Sequence, residues 1–94
     1  MLTNYQNSNY QHFTQKKFYA ELELIKLKIK NEISDAEISE PIIDKNKQYN
    51  FGSQNVKCLG TSYISSINVN NEVIAHLHYF KSNSNDFFDF NIRP

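Results

Sequence analysis

The 94-residue sequence has no tryptophan, one cysteine (Cys58), two glycines and two prolines, and its ten basic and ten acidic residues cancel. Each scarcity narrows the field. A single cysteine allows no intrachain disulfide, so the fold must rest on its apolar core. Zero net charge argues against a dedicated DNA or RNA binder, which needs a basic surplus to meet phosphates. It argues equally against an acidic mimic of nucleic acid. No window approaches the roughly 20 apolar residues of a membrane span, so no membrane partner is expected. The first twenty residues carry Thr3, Asn4, Gln6, Asn7, Ser8, Asn9 and Gln11 and no apolar run, so no secretory signal is expected. There is no Asn-x-Ser/Thr sequon. These features together point to a reducing, cytoplasmic setting.

The length suits one domain spanning residues 1–94, in which about 60–65% of the unfolded surface is buried. Seven Phe and six Tyr supply much of the core volume and argue against wholesale disorder. Thirteen asparagines are spread through termini and turns.

Residues 1–12 read as a flexible N-terminal arm. From residue 13 to 33, Phe18, Leu22, Ile25, Ile29 and Ile33 recur at helical spacing and form one apolar stripe. Glu21 and Glu23 precede Lys26, Lys28 and Lys30, the order the helix dipole favours. Leu22, Leu24, Leu27 and Ile29 also resemble broken strand alternation, but the length of the segment and its lack of Gly and Pro favour helix. Pro41 bars helical continuation, and residues 34–46 read as a polar connection carrying the Ile42-Ile43 pair. The second half reads as β, beginning with residues 49–60, where Phe51, Val56, Cys58 and Leu59 are punctuated by Gly52 and Gly60. Tyr63, Ser65, Ile67 and Val69 alternate, Asn70-Asn71 signals a two-residue turn, and Val73, Ala75, Leu77 and Tyr79 return. Residues 81–86 read as a polar loop and 87–92 as a last strand, with Phe88 and Phe90 inward and Phe87 and Asp89 outward. The expected fold is α+β: one N-terminal helix across a four- to five-stranded antiparallel sheet.

No catalytic constellation emerges. Cys58 with His76 or His78 lacks a third orienting residue, and a lone cysteine beside Leu59 reads as a small hydrophobe. His76 and His78 lie two apart on one strand face and could supply half a zinc site, but a solvated outer face is the simpler reading. Lys26, Lys28 and Lys30 are balanced by Glu21, Glu23 and Glu32 and read as a solvated helix face. No enzyme activity, cofactor or metal is expected.

One stretch goes further. Gly60-Thr61-Ser62-Tyr63, Val69, the Asn70-Asn71 turn, His76-Leu77 and Phe80-Lys81-Ser82 resemble the central hairpin of the cystatins, the disulfide-free stefins in particular. Those proteins open the strand with Gly-Thr-Asn-Tyr and return with His-Leu-x-x-Phe-x-Ser. The loop Gln54-Asn55-Val56-Lys57-Cys58-Leu59-Gly60 takes the place of the family's Gln-Val-Val-Ala-Gly loop and is two residues longer. The second loop reads Lys81-Ser82-Asn83, followed by Ser84-Asn85, where the family has Leu-Pro or Pro-Trp. The N-terminal arm lacks the family's glycine.

The resemblance implies a cystatin-like fold and a reversible, non-covalent wedge against papain-like cysteine proteases. Its partner-binding elements would be the arm around Leu2, the loop 54–60 and the loop beginning at Lys81, Ser82 and Asn83. Read from the residues alone, Gly60 marks an ordinary turn or bulge between strands, and both readings stand at this point. The alternative function is a small protein antagonist of another kind, an immunity or anti-defence protein that binds a toxin or a bacterial defence effector. The chain is expected to be a monomer, or a dimer swapped through the 54–60 loop.

Overall fold

A computed structural model of the chain describes residues 6–9, 13–51 and 56–94, with side chains described for 13–44 and 59–94. One helix, α1 (Gln15–Glu32), lies across an antiparallel sheet, so the fold is α+β as the periodicities require. The strands are β1 (Gln6–Asn9), β2 (Glu37–Ile38), β3 (Ile42–Phe51), β4 (Val56–Val69), β5 (Glu72–Ser82) and β6 (Phe88–Arg93). They fill five positions, in the order β1-β6-β5-β4, with β2 and β3 both on the far side of β4.

The helix begins where the chemistry asks. Thr14 is extended, and its hydroxyl accepts from the Lys17 N–H at 3.1 Å, satisfying one of the free donors of the first turn. Phe18, Leu22, Ile25 and Ile29 are buried against the sheet, while Leu24 and Leu27 face solvent. The helical period therefore prevails over the strand-like alternation. The Lys26–Glu23 and Lys28–Glu32 contacts, at 3.6 and 3.5 Å, run along the surface. Exposed pairs of this kind add only a few tenths of a kcal/mol each.

Opposite the helix, the sheet contributes Ile67, Ala75, Leu77, Tyr79, Phe88, Phe90 and Ile92. Phe18 sits at the aromatic centre of the core, with its ring centroid 5.3 Å from Phe90, 5.9 Å from Phe88 and 6.0 Å from Tyr79. Phe13, just before the helix, packs edge-on to Phe88 at 5.0 Å.

The polar connection expected over residues 34–46 is instead largely strand. Glu37 and Ile38 pair with Asn68 and Ile67, and β3 starts at Ile42 opposite Ile64. After a turn at 34–36, the ladder is broken again at 39–41 around Pro41, because proline has no N–H to add to it. Ser39 bridges the gap: its N–H donates to Ser66 O at 3.0 Å, and its hydroxyl accepts from Ser66 N–H at 2.8 Å. The asparagine turn is as expected, with φ of 53° at Asn70 and 65° at Asn71, the left-handed pair a two-residue hairpin needs. Of the supposed arm, Gln6–Asn9 form an edge strand on β6, and the remainder of residues 1–12 lies outside the described residues.

Burial pushes the Tyr79 phenol up from 10.0 to about 12, with Tyr63, Tyr19 and Glu40 adding to the shift. An unfolded tyrosine releases its proton near pH 10. Stability from this group is therefore complete below pH 10 and is lost as pH rises towards 12. Urea unfolding followed between pH 9 and 12 should show that decline. Tyr79→Phe should flatten it; an equally steep decline in the variant would assign the effect elsewhere.

Candidate functional site

Antiparallel register brings two connections to one end of the sheet. Gly60 is the first β4 residue paired with β5, opposite Ser82, yet β4 begins at Val56. Residues 56–59, paired with 48–51 of β3, therefore run four residues beyond the β5 ladder, or about 13 Å at the strand rise. The β5–β6 connection lies at the same end. The Asn83 N–H donates to Leu59 O at 2.9 Å and ties that connection to the overhanging hairpin.

The expected loop 54–60 is thus corrected. Val56, Lys57, Cys58, Leu59 and Gly60 are strand, and Gln54 and Asn55 lie outside the described residues. Cys58 stands opposite Tyr49 in the ladder. Leu59 remains a surface residue, 63% exposed on the helix side of the sheet, where no part of the helix reaches it. Ile43, opposite Tyr63 on that same side, is 66% exposed.

Gly60 is buried, and its hydrogen-only side chain is used inside the fold. A Cβ there would collide with the Lys81 carbonyl and stand 2.6 Å from Phe80 Cζ. The Phe80 ring lies across the glycine and also meets Phe87 at 5.9 Å. This small cluster lies on the face opposite the helix and explains Phe87, which was expected outward and is buried. Asp89 is also buried rather than outward, and accepts from Asn91 Nδ2 at 3.4 Å.

The second loop is a hydrogen-bonded turn built on Ser82, which is fully buried. Its hydroxyl donates to Asp86 Oδ1 at 2.9 Å and accepts from the Asp86 and Phe87 N–H groups, both at 3.1 Å. Ser84 adds a 2.7 Å bond to the same carboxylate. Asn85 takes φ of 58°, and its carbonyl accepts from the Phe13 N–H at 2.9 Å, joining the turn to the helix entrance. Of the three residues expected to bind there, Asn83 is exposed, Lys81 is half-buried, and Ser82 is committed to the turn. Sequence reading missed Asp86 as the partner of Ser82; the Ser-x-x-x-Asp spacing in a polar loop was the available signal.

The third expected element is described only from Gln6 to Asn9. Gln6 pairs with Asn91 and Asn9 with Phe88, so the chain enters β1 at the other end of the sheet and runs towards the turn. Leu2 itself lies outside the described residues. His76 and His78 sit on the uncovered sheet face with ring centroids 6.2 Å apart. Among the described residues, no three His, Cys, Asp or Glu side chains are grouped to hold a metal. No helix among them is long and apolar enough to cross a membrane.

Two substitutions separate scaffold from contact at this end. Gly60→Ala forces an overlap with backbone and should cost about 1–3 kcal/mol in urea unfolding. An unchanged midpoint would show that the space is available. Ser82→Ala strands the Asp86 and Phe87 N–H groups and should cost about 1–3 kcal/mol. Loss of the fast-exchange protection of those two amides, read by NMR, is the accompanying sign.

Comparison with family models, with curated proteins and with solved structures finds no match to this chain.

Proposed function

We propose that the chain is a reversible, non-covalent protein inhibitor that inserts one end of its sheet into the cleft of a papain-like cysteine protease. The observation that carries this reading is the joining of the β3–β4 hairpin and the β5–β6 turn at a single end through the Asn83–Leu59 bond. The stefin-like residues support it, because Gly60 and Ser82, which bound the resemblance, are direct partners in one hairpin. The contact set is Leu59, Lys81 and Asn83, together with the rest of the expected 54–60 segment. A turn already held by its own hydrogen bonds loses little conformational freedom on insertion, which favours affinity. No group of the inhibitor has to react.

The two joined connections also support a second reading. The same end would serve an antagonist that binds a toxin or a defence effector. In either case the partner is a protein, and a reducing cytoplasmic setting suits the lone cysteine.

Titration against active papain with a fluorogenic peptide separates the two. Stoichiometric, reversible loss of activity is expected, with replacement of residues 52–55 by Asn-Gly weakening it at least tenfold while the unfolding midpoint holds. Full papain activity at a large excess of the folded protein would remove the protease reading and leave the effector antagonist.

A further inference from the structure

We propose that the outer face of α1 pairs antiparallel with the same helix of a second copy of this chain, giving a two-fold dimer with the helices inside and the sheets outside. Phe18, Leu22, Ile25 and Ile29 face the sheet. The helical period sets Ala20, Leu24, Leu27 and Asn31 on the side directly away from it. All four are exposed, Leu24 by 59% and Leu27 by 57%, and their spacing of four, three and four is that of a helix-pair seam.

Charge selects the occupant. Setting Leu24 against Leu27 of the second copy sets Ala20 against Asn31. Glu21 and Lys28 then lie along one flank of the seam, and Glu23 and Lys30 along the other. In the antiparallel pair Glu21 meets Lys28 of the second copy and Glu23 meets Lys30, and the two-fold axis repeats both contacts. Each of these flanking pairs is of opposite sign, the arrangement that sets partner and orientation between helices. Glu23 and Lys28 also touch Lys26 and Glu32 of their own helix, at 3.6 and 3.5 Å, but those contacts leave both at the surface.

A parallel pair meets the reverse. It brings two helix N-termini together, each with Lys16 and Lys17 and no acidic residue in its first turn. The like ends of two dipoles and four lysines repel one another. In the antiparallel pair Lys17 instead approaches the negative end of the second helix, where Glu32 lies. This face is separate from the hairpin and the β5–β6 turn, so the inference stands whether or not a protease is the target.

The test uses the full chain in sedimentation equilibrium. The mass should rise from 11.1 kDa towards twice that value as concentration goes from roughly 10 µM to 1 mM. A Glu21→Lys/Glu23→Lys variant and a Lys28→Glu/Lys30→Glu variant, each folded by circular dichroism, should stay monomeric over that range. Their equimolar mixture should form the dimer. A nitroxide on Ala20→Cys, in a Cys58→Ser background, should broaden the Asn31 amide of an isotope-labelled second copy more than its Ala20 amide. An unchanged mass of 11.1 kDa at the highest concentration would overturn the proposal, as would a mixture of the two variants that stays monomeric. Equal association of either variant and the parent chain would also overturn it. Broadening centred on Ala20 would do the same, by showing a parallel pair.

Discussion

The structure depends on the insertion of one aromatic ring, Phe18, between the helix and the sheet. That ring meets Phe13, Tyr79, Phe88 and Phe90, residues drawn from the helix entrance, β5 and β6. Removing a buried phenylalanine costs about 3–5 kcal/mol. The whole stability expected of a domain this size is about 5–14 kcal/mol. With no disulfide possible, this one contact carries a large share of what holds the helix on the sheet. It also places the Phe13 backbone where it can donate to Asn85, so the aromatic core and the β5–β6 turn are joined.

The β4–β5 end is held together for a second reason, which lies on the opposite face. Phe80 covers Gly60 and leans on Phe87, while Ser82 gathers the turn through three hydrogen bonds. The glycine that marks the stefin-like resemblance is consumed by the fold's own packing. Leu59 and Asn83 stay exposed beside this cluster.

Much of the fold was legible in the residues because its signals are periodic. The stripe from Phe18 to Ile29 could bury one face only as a helix, and Asn70-Asn71 could close a hairpin because asparagine tolerates positive φ. The candidate site was less legible. Residues 56–60 read as β from Val56, Cys58 and Leu59 but as part of a loop from the stefin-like resemblance, and they pair as strand because β3 is long enough to reach them. Phe87 and Asp89 followed alternation correctly to the outer face, but that face is itself covered near the turn, so both are buried. The segment after the helix read as polar loop because Pro41 interrupts it, and only the Ser39–Ser66 bonds reveal that the strand resumes across the break.

The sequence by itself determined the class of the fold, the inner faces of helix and strands, the tight turn and the reliance on an apolar core. These follow from local period and backbone preference, which act over a few neighbouring residues. Tertiary structure alone decided that β1 joins β6, that the chain enters it from the end away from the turn, and that β3 pairs with β4 alone among the described strands. It also decided that Ser82 and Gly60 serve the scaffold. Those outcomes depend on which strands meet and in what register, a choice set by long-range packing that no local pattern encodes.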